Sequence, residues 1–106
     1  MARTLVNVPK SARQGEVIEI KAMIAHPMET GYRQDAQGRP RPRHIIRRFA
    51  CAYDGQEVFA ADFHPAVSAN PFVAFTTVAT RTGVLTFAWT DDRGVTETAT
   101  AEISVT

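Results

Sequence analysis

The sequence predicts an all-β domain, an immunoglobulin-like β-sandwich of about seven antiparallel strands with no disulfide. Three observations predict it. Apolar and polar residues alternate with a period of two in run after run. No segment sustains the 3.6-residue apolar spacing of an amphipathic helix. Turn-forming residues recur at short intervals. With 106 residues the chain is one domain, residues 1–106, long enough to bury a core and too short for two.

The strands follow in order. "TLVNV" near the start supplies the first. In "EVIEIKAMIA", residues 16–25, Ile18, Ile20, Ala22 and Ile24 point one way and Glu19 and Lys21 the other, the pattern of a strand with one face on a core. "HIIRRFACAYDGQEVFAADF" holds two β-rich runs, 44–53 and 57–63, around Asp54-Gly55, a pair suited to a tight hairpin. Ile45, Arg47, Phe49, Cys51 and Tyr53 share one face, and Ile46, Arg48, Ala50 and Ala52 the other. "FVAFTTVAT" is the next strand, after a connection marked by two prolines and Asn70. Gly83 then turns the chain into "VLTFAWT", where Leu85, Phe87 and Trp89 alternate. "DDRG" turns it again into "VTETATAEISV", a long one-sided strand. Trp89, Phe87, Phe75, Phe49 and the isoleucines fill a gap between sheets roughly 10 Å apart.

Composition excludes several classes. Hydrophobic residues at 44% and charged residues at 22% describe a globular domain. No apolar run approaches the roughly 20 residues of a membrane span. The start "MARTLVNVPK" lacks the apolar stretch of a secretory signal, so the chain is expected to be cytosolic, trimmed, or exported by other means. Cys51 is the single cysteine, which rules out an internal disulfide and a thiolate-rich metal site. Mid-strand among aromatic residues, Cys51 reads as a buried, inert thiol. Net charge is only +1, yet six of the twelve Lys and Arg residues fall between Arg33 and Arg48, with Asp35 the sole acid there.

Candidate chemistry is sparse. His26, His44 and His64 lie on separate segments with no recurring ligand spacing, so no metal is expected and solvated or turn-stabilising histidines are. Asp62 and His64 share a strand face, and a Ser68-His64-Asp62 set can be written, but no G-x-S-x-G elbow accompanies it. The arginines of "RQDAQGRPRPRHIIRR" are broken by prolines and carry no nucleic-acid-binding motif. They form a solvated loop or a patch that attracts an anionic ligand or an acidic protein surface. The long connection 26–43 exceeds the usual length of a loop without a role.

"VPKSARQGEVIEIKAMIAHPMETG", "HIIRRFACAYDGQEVFAADFHPAVSANPFVAF" and "GVLTFAWTDDRG" together resemble the SoxZ family, the small subunits of the SoxYZ sulfur carriers of bacterial sulfur-compound oxidation. The combination of "HPMETG", "SANPF" and "FAWTDDRG" in this order is specific, and the resemblance spans nearly the whole chain. It implies a periplasmic, immunoglobulin-like, non-catalytic scaffold without a cofactor, tightly paired with SoxY. That partner's flexible arm bears the cysteine that carries covalent sulfur intermediates to the other Sox enzymes, which this chain would contact only transiently. The resemblance further implies export without a signal peptide of its own, in complex with SoxY, and neither nucleic acid nor membrane as partner.

On this reading "HPMETGYR" and the arginines form a recognition loop. Pro27 and Gly31 set its backbone, Met28 and Tyr32 give apolar contact, Glu29 and Arg33 pair with opposite charges, and Arg41, Arg43 and Arg47 draw an acidic Sox enzyme. The expected partner surface comprises His26, Pro27, Met28, Glu29, Tyr32, Arg33, Arg41, Arg43, Arg47 and Asn70, with Phe72, Val73 and Phe75 from a strand apolar on both faces. Met23 is placed on the outer side of its strand. The rival from another class is a stand-alone sandwich that captures a small anion or a carbohydrate with His26, Arg33 and Arg43.

Overall fold

A computed structural model describes residues 3–32, 34, 36–40, 42–64, 67 and 69–106. Its strands are β1 (Thr4–Asn7), β2 (Ser11–Ala12), β3 (Val17–Ile24), β4 (Ile46–Tyr53), β5 (Gln56–Asp62), β6 (Phe72–Val78), β7 (Gly83–Asp91) and β8 (Thr96–Val105). They form a three-stranded sheet, β1-β3-β6, and a five-stranded sheet, β2-β8-β7-β4-β5. No helix is long and apolar enough to cross a membrane among the described residues.

The predicted strands are present, each within about two residues of its expected limits. The addition is β2, two residues that pair parallel with β8 through Ser11↔Ser104. The other seven strands pair antiparallel as expected. Two residues are too few to show an alternation in the sequence.

Alternation decides the inside of the sandwich. In β3, Ile18, Ile20, Ala22 and Ile24 are buried while Val17, Glu19 and Lys21 are exposed. Leu85, Phe87 and Trp89 of β7 and Phe49 and Cys51 of β4 are fully buried opposite them. Phe49 is the hub, with ring centroids of Trp89, Phe75, Phe87 and Phe59 at 5.3, 6.1, 6.2 and 6.2 Å. Phe59 of β5 and Phe75 of β6 stack at 4.4 Å with planes only 7° apart, joining the edge strands of the two sheets. Such pairs add about 0.5–1.5 kcal/mol beyond the area they bury.

Alternation breaks at the start of β4. The register between β4 and β7 shifts between Ile46 and Arg48, a bulge that inserts one residue and turns the chain. Ile45 and Ile46 are therefore both buried, at 1% and 2% exposure, where strict alternation sets them on opposite faces. Beyond the bulge, Phe49, Cys51 and Tyr53 point inward as expected. Asp54 and Gly55 both take positive φ, 49° and 84°, the backbone of the hairpin turn that their sequence predicts.

Candidate functional site

The connection from β3 to β4 folds back on the end of the sandwich. Glu29 and His44 exchange two backbone hydrogen bonds, of 2.8 and 2.7 Å, pinching the loop at its base. His26 N–H donates to Asn70 Oδ1 at 2.9 Å and Asn70 N–H to the His26 carbonyl at 2.7 Å. Met28 N–H donates to His26 Nδ1 at 3.0 Å, and Ile46 N–H to Met28 Sδ at 3.2 Å. Met28 and Asn70 both have φ of 51°, so bonds to both segments hold a left-handed backbone that a residue other than glycine seldom adopts.

These contacts redistribute the expected recognition residues. His26, Met28 and Glu29 are buried within the chain itself, at 6%, 5% and 9% exposure. The expectation that Met28 is displayed for apolar contact is corrected: its side chain belongs to the core. Pro27, Arg43, Arg47 and Asn70 are exposed, Phe72 is 60% and Tyr32 86% exposed. Arg33 and Arg41 lie outside the described residues, as does Ser68 of the triad that can be written from the sequence. Asp62 is engaged by Arg48, Nη1 to Oδ1 at 3.1 Å.

Register separates the "NPFVAF" residues. Leu5 pairs with Met23, and Met23 with Phe72, a cross-strand row on the outer face of the three-stranded sheet. Val73 is half-buried and Phe75 is 8% exposed, both packed on the core. Period two thus assigns Phe72 and Met23 to the outside, and corrects the placing of Val73 and Phe75 on a partner surface. Val17 and Val78, also paired and exposed, lie at the opposite end of that face.

A second arrangement was not anticipated. His44 Nε2 lies 3.0 Å from Asp91 Oδ2, and the ring of His26 meets that of His44 edge-on at 4.6 Å. Asp91 Oδ1 accepts the N–H groups of Arg93 and Val95, each at 2.9 Å. Arg43 Nε sits 3.3 Å from Asp92 Oδ2. Ile24, Ile46, Trp89, Arg93, Val95 and Glu97 complete a recess of about 260 Å³. Burial, reinforced by the neighbouring His44, lowers the His26 pKa, so its ring is neutral at neutral pH. Burial works to raise the Asp91 pKa, but the His44 and backbone hydrogen bonds outweigh it and hold this carboxyl below its usual range. The signal in the sequence was the acid pair of "WTDDRG", which only the fold sets beside two histidines from the other side of the chain.

Cys51 is fully buried, and burial pushes its thiol up to about 11. Such a thiol is neither exposed nor ionised enough to act as a nucleophile.

A superoxide reductase (neelaredoxin) from Ignicoccus hospitalis shares the fold with a TM-score of 0.74 at 20% identity, over 97% of this chain and 80% of that one. The reduced form of a superoxide reductase variant from Archaeoglobus fulgidus gives 0.65 at 19%, over 95% and 86%. The sulfur carrier protein SoxY from Chlorobium limicola f. thiosulfatophilum gives 0.69 at 16%, over 97% and 78%. At these identities the likeness is one of fold. No curated protein matches the chain. The family model described as sulphur oxidation protein SoxZ matches residues 6–102, and the chain therefore belongs to the SoxZ family.

Proposed function

We propose that this chain is the non-catalytic scaffold of a SoxYZ-type sulfur carrier in the periplasm, exported in complex with a SoxY-type subunit whose arm cysteine carries the sulfur intermediates of thiosulfate oxidation. Family membership supports the system. The observation that carries the scaffold reading is the state of the one cysteine: Cys51 is fully buried, with its thiol held protonated. A carrier thiol must be reached by several enzymes and must ionise. This one does neither, so the covalent chemistry falls to a partner.

The face offered to that partner is the outer surface of β1-β3-β6. Leu5 and Phe72 are 64% and 60% exposed with Met23 between them in register. A contiguous apolar row of this kind is depleted of charge as interface centres are, and obligate heterodimers bury more than about 2,000 Å². Tyr32 and Arg43 in the long connection and Arg47 at the start of β4 are exposed and suit transient contact with acidic Sox enzymes.

Co-expression with a SoxY-type subunit tests the reading. Wild-type chain should co-purify with it in equal amounts, and Phe72→Asp should weaken the pair at least about 30-fold, as loss of a central anchor does. Equal co-purification of Phe72→Asp rejects the assigned face, and failure of the wild type to pair rejects the scaffold.

A further inference from the structure

We infer that the recess between the β3–β4 connection and the β7–β8 turn is a binding site for one divalent transition-metal ion of the zinc class, held by His44 Nε2, Asp91 Oδ2 and Asp92 Oδ1. The inference stands on these residues alone and does not depend on the scaffold reading.

Ligand atoms of His44, Asp91 and Asp92 all lie within 4.8 Å of one another. The 3.0 Å between His44 Nε2 and Asp91 Oδ2 suits two atoms each about 2.0–2.2 Å from a common ion. The donor set, one imidazole and two carboxylates without a thiolate, fits zinc and its divalent neighbours. The two carboxylates offset the ion's charge. Arg43 faces Asp92 Oδ2 at 3.3 Å, which leaves Oδ1 to the metal.

The ligands are held in advance. Asp91 Oδ1 is fixed by two backbone N–H groups. The Asp92 N–H donates to the Ile45 carbonyl at 2.9 Å, and His44 is clamped by its paired bonds to Glu29. Metal-site carboxylates are anchored by such outer contacts.

One orphaned group outside the three ligands points to a bound species in the recess. His26 is 6% exposed and its Nε2 is buried with no hydrogen-bond partner among the described residues. Because Nδ1 accepts the Met28 N–H, the ring proton sits on Nε2, and His26 lines the recess. Among the described residues this N–H has no acceptor, and Asp92 Oδ1 is buried with no donor. Buried polar atoms left unpaired cost about 1–3 kcal/mol each. The His44–Asp91 contact satisfies neither of them. A cation satisfies Asp92 Oδ1, and a water or small anion in its fourth position accepts from His26, which thus acts as a positioning residue. Trp89 Nε1, a further buried donor without a partner among the described residues, belongs to a residue lining the same recess.

The test is Co²⁺ titration of the full untagged chain, read by visible absorption, with Zn²⁺ displacement followed by calorimetry. The expected result is one equivalent of Co²⁺ with a ligand-field spectrum of nitrogen and oxygen donors and no thiolate charge-transfer band. Asp92→Asn should bind at least about tenfold more weakly, as His44→Gln should, and His26→Phe should change the spectrum while retaining the ion. Asp92→Asn alters no hydrogen bond of Oδ1, so a far-ultraviolet circular dichroism spectrum equal to wild type establishes that it folds. No Co²⁺ spectrum in the wild type, or equal affinity in folded Asp92→Asn, overturns the site. Both proteins should still pair with a SoxY-type subunit, which separates failure here from failure of the scaffold.

Discussion

His26 and Asn70 are joined twice, His26 N–H to Asn70 Oδ1 at 2.9 Å and Asn70 N–H to the His26 carbonyl at 2.7 Å. The bonds tie "HPMETG" to "SANPF" across 44 residues of sequence and fix where β3 ends and β6 begins. Asn70→Ala removes the side-chain acceptor and places alanine at φ of 51°, where asparagine and glycine are tolerated and alanine is strained. The expected loss is about 2 kcal/mol of unfolding free energy by urea titration, with Asn70→Gly losing less because it keeps the backbone geometry.

Phe72 and Phe75 separate the two faces of one strand. Phe75→Ala opens the Phe49–Phe59–Phe75 cluster and should cost about 3–5 kcal/mol in chemical denaturation. Phe72→Asp, on an exposed position, should cost about 1 kcal/mol or less while abolishing tight pairing with the SoxY-type subunit. Equal stability losses in the two variants contradict the assigned faces.

Cys51 sets a pH dependence. Its thiol is raised from 9.0 to about 11 in the folded chain, so between those values the unfolded chain has lost a proton that the folded chain retains. Stability from this group is complete below the unfolded value and declines as pH rises through the folded one, by about 3 kcal/mol in all. Denaturation curves at pH 8 and pH 11 should differ more for wild type than for Cys51→Ala, and native protein should resist thiol alkylation at pH 8.

The alternation of β3, β4, β7 and β8 was legible because a strand with one buried face writes its orientation into every second residue. Phe49, Phe87 and Trp89 could be placed inward on that ground alone. Ile46 could not, since a bulge leaves no mark in composition. The "HPMETG" loop was visible as unusual, but its display of Met28 was misread: burial at a positive φ depends on Asn70 and Ile46, distant in sequence. The recess was illegible for the same reason. His26, His44 and Asp91 come from segments with no common spacing, and only the β4–β7 pairing and the Glu29–His44 bridge bring them together.

Arg47 tests the charged end. It is exposed, whereas Arg43 is tied to Asp92, so Arg47→Glu changes charge with less structural consequence. Stopped-flow association with an acidic Sox enzyme should slow at low salt and lose part of its salt dependence. An unchanged rate at low ionic strength removes the basic segment from the docking surface.

The most direct measurement is intact-mass spectrometry of both subunits after the co-expressed complex is supplied with thiosulfate and the other Sox enzymes. The scaffold account predicts added sulfur on the partner's arm cysteine and an unchanged mass for this chain, whose thiol is fully buried. Sulfur bound covalently to Cys51 would contradict it.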